Sequence, residues 1–247
     1  MIAKEPEAKK FIKPYVGSAE FINGTTRFCL WLKDVPYPAL KNCPLALERV
    51  RKVREFRLQS TAQPTVAKAG EPHLFFFISQ PDKKYLVVPR VSSENRRYVP
   101  MGFLPKGTVC SDSNSIVPDA TLYHFGVLTS SVHMAWMRAV GGRLEMRYRY
   151  SGSIVYNNFP WPDATDGQKA GIEELAQAVL DARGHYPGST LANMYGEGSM
   201  AFHPKLAKAH EKLDKAVMKL YGFAKAAAEP EVVAELMGMY EILAGGQ

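Results

Sequence analysis

The side chains with the most chemistry to offer lie in Gly142–Tyr150, GRLEMRYRY. As one strand, this segment sends successive side chains to opposite faces, with same-face neighbours about 6.6–6.8 Å apart. Leu144, Met146, Tyr148 and Tyr150 then share a face suited to a core, while Arg143, Glu145, Arg147 and Arg149 share the other. An arginine pairs bidentately with guanine O6 and N7, and a carboxylate accepts from cytosine N4. A Glu and an Arg two positions apart therefore carry the groups to read both bases of one G·C pair. The same pattern also fits an exposed strand whose opposite charges offset each other.

A second polar cluster is Ser111–Ser115, SDSNS, between short strand-like segments. Asn114 has the amide that pairs with adenine N6 and N7, and Asp112 and Ser113 suit cytosine or either purine. Such a stretch also serves as an ordinary solvated turn. Lys83, Lys84, Arg96, Arg97 and Arg143, with Arg51 and Arg54 from a basic helix, are expected at phosphates, which position a protein on DNA without reading sequence. Lys205, Lys208, Lys212, Lys215 and Lys219 form another basic stripe, read here as a solvated helix face.

Catalytic machinery is not visible. There is no GxGxxG, P-loop, GxSxG or HExxH, and no paired Cys/His ligand set, so no catalytic or metal-ligating residue is assigned. The histidines at 73, 124, 133, 185, 203 and 210 stand singly and read as packed or surface residues. Asn157–Pro162, NNFPWP, bears a superficial likeness to the Asn/Asp-Pro-Pro-aromatic motif of adenine methyltransferases, but its prolines are not adjacent. It reads as a connector whose prolines stop a strand.

The elements that must carry these groups fall into four regions. Phe28–Leu32 is extended after the turn signal Asn23-Gly24, and Pro44–Ser60 is a helix with Arg49, Arg51, Lys52, Arg54 and Arg57 on its polar face. Leu74–Ser79, Tyr85–Val91, Tyr98–Phe103, Thr121–Leu128 and Leu144–Tyr150 read as strands. Among them lies one helix, capped by Ser130 or Ser131 and ended by Gly141-Gly142. Beyond residue 163, helices end at Gly184, run from Pro204 to Gly222, and start again at Pro230. The expected class is α+β, a β-rich domain followed by a helical one.

Composition narrows the function classes. With 46% hydrophobic and 22% charged residues in 247, the chain is globular and large enough for a real core. Its apolar runs fall far short of the roughly 20 residues of a membrane helix, and the charged opening Met1–Pro14 is no secretory leader, so a cytoplasmic protein without membrane attachment is expected. Residues 1–162 hold 23 Lys and Arg against 12 Asp and Glu, a net +11. Residues 163–247 hold 8 against 12, a net −4, which completes the +7 of the whole chain. The basic part fits a polyanion, and it also fits an ordinary solvated surface.

Several longer stretches together resemble one family: FIKPYVGSAEFING (11–24), ERVRKVREFRLQS (48–60), YVPMGF (98–103), SSVHMAWMRAVGGRLEMRYRYSGSIVYNNFPWP (130–162) and LAKAHEKLDKAVMKLYGF (206–223). They are similar to the C-terminal third of MmeI-like, type IIL/IIG restriction–modification enzymes. The resemblance implies a nuclease fused to an adenine-N6 DNA methyltransferase, followed by a target-recognition domain and a helical tail. On it, residues 1–43 are the end of the methyltransferase domain or a linker, 44–162 the recognition domain, and 163–247 the tail.

It further implies double-stranded DNA and the preceding nuclease and methyltransferase domains as partners. No cofactor belongs to this part. S-adenosylmethionine, and Mg for cleavage, belong to the full-length enzyme, which methylates an adenine flipped from the stack. By the resemblance Glu145 and Arg147 specify one base pair, and Arg149 with Asp112, Ser113 and Asn114 forms a further specificity set. The expectation is thus a sequence-specific DNA-recognition module, inactive alone. Its rivals are an unrecognised enzyme site around Glu145 and a basic protein–protein interaction or structural module.

Overall fold

The structure, a computed structural model, describes residues 1–224 and 226–245, so the last two positions of the expected tail lie outside the described residues. The fold is mixed α+β and divides into two units. The smaller contains Met1–Val16, Thr26–Asp82 and Gly107–Cys110; the larger contains Gly17–Thr25, Lys83–Lys106 and the chain from Ser111 onward.

In the smaller unit, Ile12–Val16 is the middle strand of a three-stranded sheet. It pairs antiparallel with Arg27–Leu30, as the extended FCLWL stretch predicts, and parallel with Val109–Cys110. Pro44 occupies the first turn of the helix Pro44–Leu58, where its missing N–H costs nothing. This helix buries Ala46 with Phe11, Leu32, Leu40 and Cys43, while Phe56 at its far end stays exposed. Leu74–Ser79 is not a strand. The Arg57 guanidinium takes the carbonyls of Lys68, Glu71 and Leu74 at 2.7–3.0 Å, and Phe75 packs on Tyr15 and Trp31, so these groups serve side-chain contacts instead of a ladder.

The larger unit holds two three-stranded sheets and the main core. Tyr85–Pro89, buried along its length, lies between Gly102–Leu104 and Asn114–Val117. The expected strand Tyr85–Val91 changes sheet at Arg90: Val91–Ser92 pairs with Arg147–Arg149, which pairs in turn with Gly142–Leu144. Thr121–Leu128, expected as a strand from its aromatic and β-branched content, is the helix Leu122–Leu128. Thr121 caps it, its hydroxyl accepting from Tyr123 N, and Gly126 lets the helix Asp166–Gly184 approach so closely that a Cβ there would lie 2.7 Å from Ile172.

The helix Ser131–Val140 has Ser130 as its cap and stops at Gly141, as the sequence predicts. Asp166–Gly184, Pro204–Leu220 and Glu229–Gly245 match the three expected tail helices, and the short helices Ser18–Asn23 and Leu191–Tyr195 are additional. Trp136, Tyr98, Phe125, Leu128, Leu206 and Leu213 are among the side chains that join the sheets and helices into one core. Among the described residues, no helix is long and apolar enough to cross a membrane.

Candidate nucleic-acid interface

The segment Gly142–Tyr150 is a hairpin rather than a single strand. Gly142–Leu144 and Arg147–Arg149 pair antiparallel, with Leu144 opposite Arg147 and Arg143 opposite Tyr148. The two-residue turn is Glu145-Met146, and Glu145 takes φ of 57°. Positive φ at the first turn position is the pattern of a type II′ hairpin, where glycine is usual. A residue bearing a Cβ held there costs on the order of 1–2 kcal/mol. The sequence lacks the Asn-Gly or Gly-X signal that announces such turns, which is why alternation alone ran straight through it.

The turn changes which side chains face inward. Tyr148 and Tyr150 are buried as expected, but Leu144 and Met146 are 44% and 71% exposed at the tip. Arg143 is turned back onto the hairpin's base: it donates to the carbonyls of Arg138, Gly141 and Gly142, and its guanidinium lies 4.5 Å from the Tyr148 ring centre.

Glu145 and Arg147 meet at the tip, Arg147 Nη2 donating to Glu145 Oε2 at 2.5 Å. Both stay open to solvent, with side-chain exposures of 76% and 47%. One carboxylate and one guanidinium are therefore held side by side, with unused acceptor and donor positions facing outward. An exposed pair of this kind contributes little to stability, so its cost in backbone strain is not offset by the ion pair itself. Arg149, exposed on the same strand, stands in register with Val91 and Gly142.

The polar loop is joined to this hairpin by one residue. Arg90 N donates to Ser113 O at 3.0 Å, and Arg90 O accepts from Tyr150 N at 2.8 Å. Within the loop Ser113 accepts from Ser18 N, and Ser18 donates to Ser113 O and to Asn114 Oδ1. Asn114 is buried, and Asp112 is the loop's exposed acid. Arg90 carried no sequence signal for this role, because the job belongs to its peptide group and not to its side chain.

The expected phosphate set is spread more widely. Lys83 pairs with Asp119 at 3.4 Å, Lys84 sits 4.4 Å from the Phe103 ring centre, and Arg97 is exposed above Tyr98 and 3.8 Å from Asp214. Arg96 is half-buried, and burial lowers its pKa. Arg51, paired with Glu55, and Arg54 lie on the exposed face of Pro44–Leu58 in the smaller unit. Arg143 is the member most committed to the protein itself.

Of the singly placed histidines, His133, His203 and His210 are buried, His73 and His124 are partly buried, and His185 is exposed. His133 is fully buried, bonded through Nε2 to the Tyr150 hydroxyl at 2.9 Å and edge-on to Phe159, and burial holds its pKa down at about 3. Phe159 of the NNFPWP connector thus faces the core. A wide helical turn, Gly152–Tyr156, separates that connector from the hairpin. Among the described residues, no group of three His, Cys, Asp or Glu is placed to hold a metal ion.

Comparison with known proteins gives one consistent picture. Residues 1–163 match the family model "MmeI, target recognition domain", and residues 164–246 match "MmeI, C-terminal domain". DNA methyltransferase A of Bacillus subtilis (strain 168) is 39% identical over 240 residues, which is 97% of this chain and 27% of that protein. A solved structure of the type IIL restriction–modification enzyme MmeI in complex with DNA superimposes with a TM-score of 0.95 at 45% identity, over 99% of this chain and 32% of that one. The chain thus spans 27% to 32% of the length of these relatives.

Proposed function

We propose a function from one premise: the chain belongs to the MmeI family, with residues 1–163 its target recognition domain and 164–246 its C-terminal domain. It reads a short sequence in duplex DNA and so chooses the adenine that a larger restriction–modification methyltransferase modifies. Within the recognition domain, residues 44–162 carry the reading and residues 1–43 are its lead-in, while residues 163–247 support it. Such an enzyme works in the cytoplasm, where the DNA is.

The observation that carries this reading is the exposed Glu145–Arg147 pair at the tip of a narrow hairpin. A two-stranded ribbon fits the major groove. There Arg147 turns its fork to guanine O6 and N7, and Glu145 accepts from the N4 amino group of the paired cytosine or stays against Arg147 as its buttress. The first arrangement swaps the ion pair for charge-assisted bonds to bases and the second keeps it while Arg147 binds guanine; in both, a wrong base pair leaves a desolvated charge unsatisfied. Arg149 and Asp112 address neighbouring base pairs, with Ser113 and Asn114 holding the shape of the Asp112 loop through Ser18. Lys83, Lys84, Arg96, Arg97, Arg51 and Arg54 supply phosphate contacts, and Arg143 stiffens the hairpin beside them.

The residues described here do not fit S-adenosylmethionine or Mg. The sequence holds no glycine-rich strand–turn–helix, the aromatic ring of NNFPWP is packed into the core, and no acidic cluster is present among the described residues. Both belong to the rest of the longer enzyme on this reading, and the chain alone turns over no substrate.

Selection of bound duplexes from a random pool by the purified chain, followed by sequencing, tests the proposal. A short enriched motif containing a fixed G·C pair is expected. A pool retained without any motif overturns sequence recognition and leaves a basic surface for phosphates or for an acidic protein partner.

A further inference from the structure

The helix Ser131–Val140 ends one residue before the hairpin begins, so the orientation of that helix sets where the Glu145–Arg147 tip points. Both of its ends are gripped by the C-terminal helices. At the N-terminal end, Asp214 of Pro204–Leu220 accepts from Ser131 N at 2.7 Å and from the Tyr98 hydroxyl at 2.6 Å, in a buried setting. At the C-terminal end, Arg138 forms a bidentate pair with Glu229, the first residue of Glu229–Gly245, with both N–O distances 2.6 Å. Between the two grips, Trp136 meets Tyr240 with ring centres 6.0 Å apart.

Arg138 is also the point where the grip reaches the hairpin. Its carbonyl accepts from Arg143 Nη2 at 3.1 Å, and Arg143 in turn lies over Tyr148. A continuous line of contacts therefore runs from Glu229 through Arg138 to Arg143 and on to Tyr148, and the last two stand opposite each other in the hairpin. A hairpin with an exposed tip and a strained turn, flanked only by the two-residue strand Val91–Ser92, has little packing of its own to fix its direction. Bidentate reading tolerates only small errors in angle and distance, so its groups must be held by supporting contacts.

We infer that Glu229 and Arg138 are positioning residues for base recognition: through them the C-terminal domain aims the reading hairpin. The inference rests on the proposed function for its consequence, though the mechanical link from Glu229 to the hairpin stands apart from DNA. Loss of Glu229 frees the Arg138 guanidinium, loosens Tyr148 and Arg143, and lets the Glu145–Arg147 tip wander. Neither residue belongs to the phosphate-contacting set, so general attraction to phosphates changes only through the one negative charge removed, which is not a loss.

The test compares the 247-residue chain with its Glu229→Ala and Glu229→Gln variants in two measurements. Hydrogen–deuterium exchange is expected to rise roughly tenfold in residues 142–150 of Glu229→Ala, with Tyr85–Pro89 unchanged. Discrimination between duplexes differing at the selected G·C pair is expected to fall about 2- to 30-fold, with random-duplex binding no weaker than the parent's. Glu229→Gln, which keeps one acceptor for the fork, falls between the two. Exchange that stays as in the parent, or rises equally in Tyr85–Pro89, overturns the mechanical link. Faster hairpin exchange with full discrimination overturns the positioning role. Faster hairpin exchange in a chain whose parent shows no discrimination sinks the DNA-reading proposal and leaves the link standing.

Discussion

Tyr85–Pro89 and Arg147–Arg149 are both middle strands of three-stranded sheets in the larger unit, and they spend their side chains in opposite ways. Every residue of the first is buried, so both of its faces pack and no side chain is available to a ligand. In the second only Tyr148 is buried, and the arginines on either side point to solvent. The first sheet's neighbours supply its stability. The second keeps its position through the residues behind it: Tyr148 and Tyr150 inward, Arg90 alongside, and the helix Ser131–Val140 beneath. A recognition domain can therefore vary its exposed strand with little effect on folding, because the energy that holds the strand resides elsewhere.

The sharpest way to break this division is to cut each sheet once. Leu86→Ala, in the buried strand, is expected to lower unfolding free energy by about 2–5 kcal/mol, read from chemical denaturation. Arg147→Ala should shift it by under about 0.5 kcal/mol. A large loss from Arg147→Ala would mean that the exposed strand is structural after all.

The support behind the hairpin has its own signature in pH. His133 has an ordinary value of 6.5 in the unfolded chain and about 3 in the folded one. As pH falls below 6.5 the unfolded chain takes up the proton first, so the stability His133 contributes is full above that value and drains away toward about pH 3. His210, also held low by burial, acts in the same direction, and Asp214, held high by burial, acts in the opposite one. His133→Gln should therefore flatten the stability profile across that window, by up to about 1.4 kcal/mol per pH unit. An unchanged slope would remove His133 from the buried framework.

The smallest effect separates strain from reading. Glu145→Gly relieves the positive φ and is expected to raise unfolding free energy by about 0.5–1 kcal/mol while loosening base preference. A variant that gains stability and keeps full preference would show that the carboxylate takes no part in recognition.

The helices were the most legible part of the sequence, because Ser130, Pro44, Pro204 and the glycines at 141, 184 and 222 mark ends by local chemistry. The errors came where tertiary contacts override local preference. Thr121–Leu128 has strand composition but folds as a helix, since Thr121 caps it and Gly126 admits Ile172. Leu74–Ser79 loses a backbone acceptor to Arg57, a partner 17 residues away that no local pattern announces. Residue type and spacing single out Glu145 and Arg147 as candidates, yet the geometry that brings them together is a turn and not the alternation of one strand. Arg90 and Glu229 act through a peptide group and through a distant partner, so neither was visible before the fold.

The central claim is that Arg147, beside Glu145, reads one G·C pair. Its most direct test is competition binding of two duplexes, the selected motif and the same duplex with that pair exchanged, to the parent chain and to Arg147→Ala. The account predicts that the variant loses about 1–3 kcal/mol of discrimination at that pair and keeps its preference at the others. An equal loss of affinity for both duplexes would contradict it, because that is how a phosphate contact behaves.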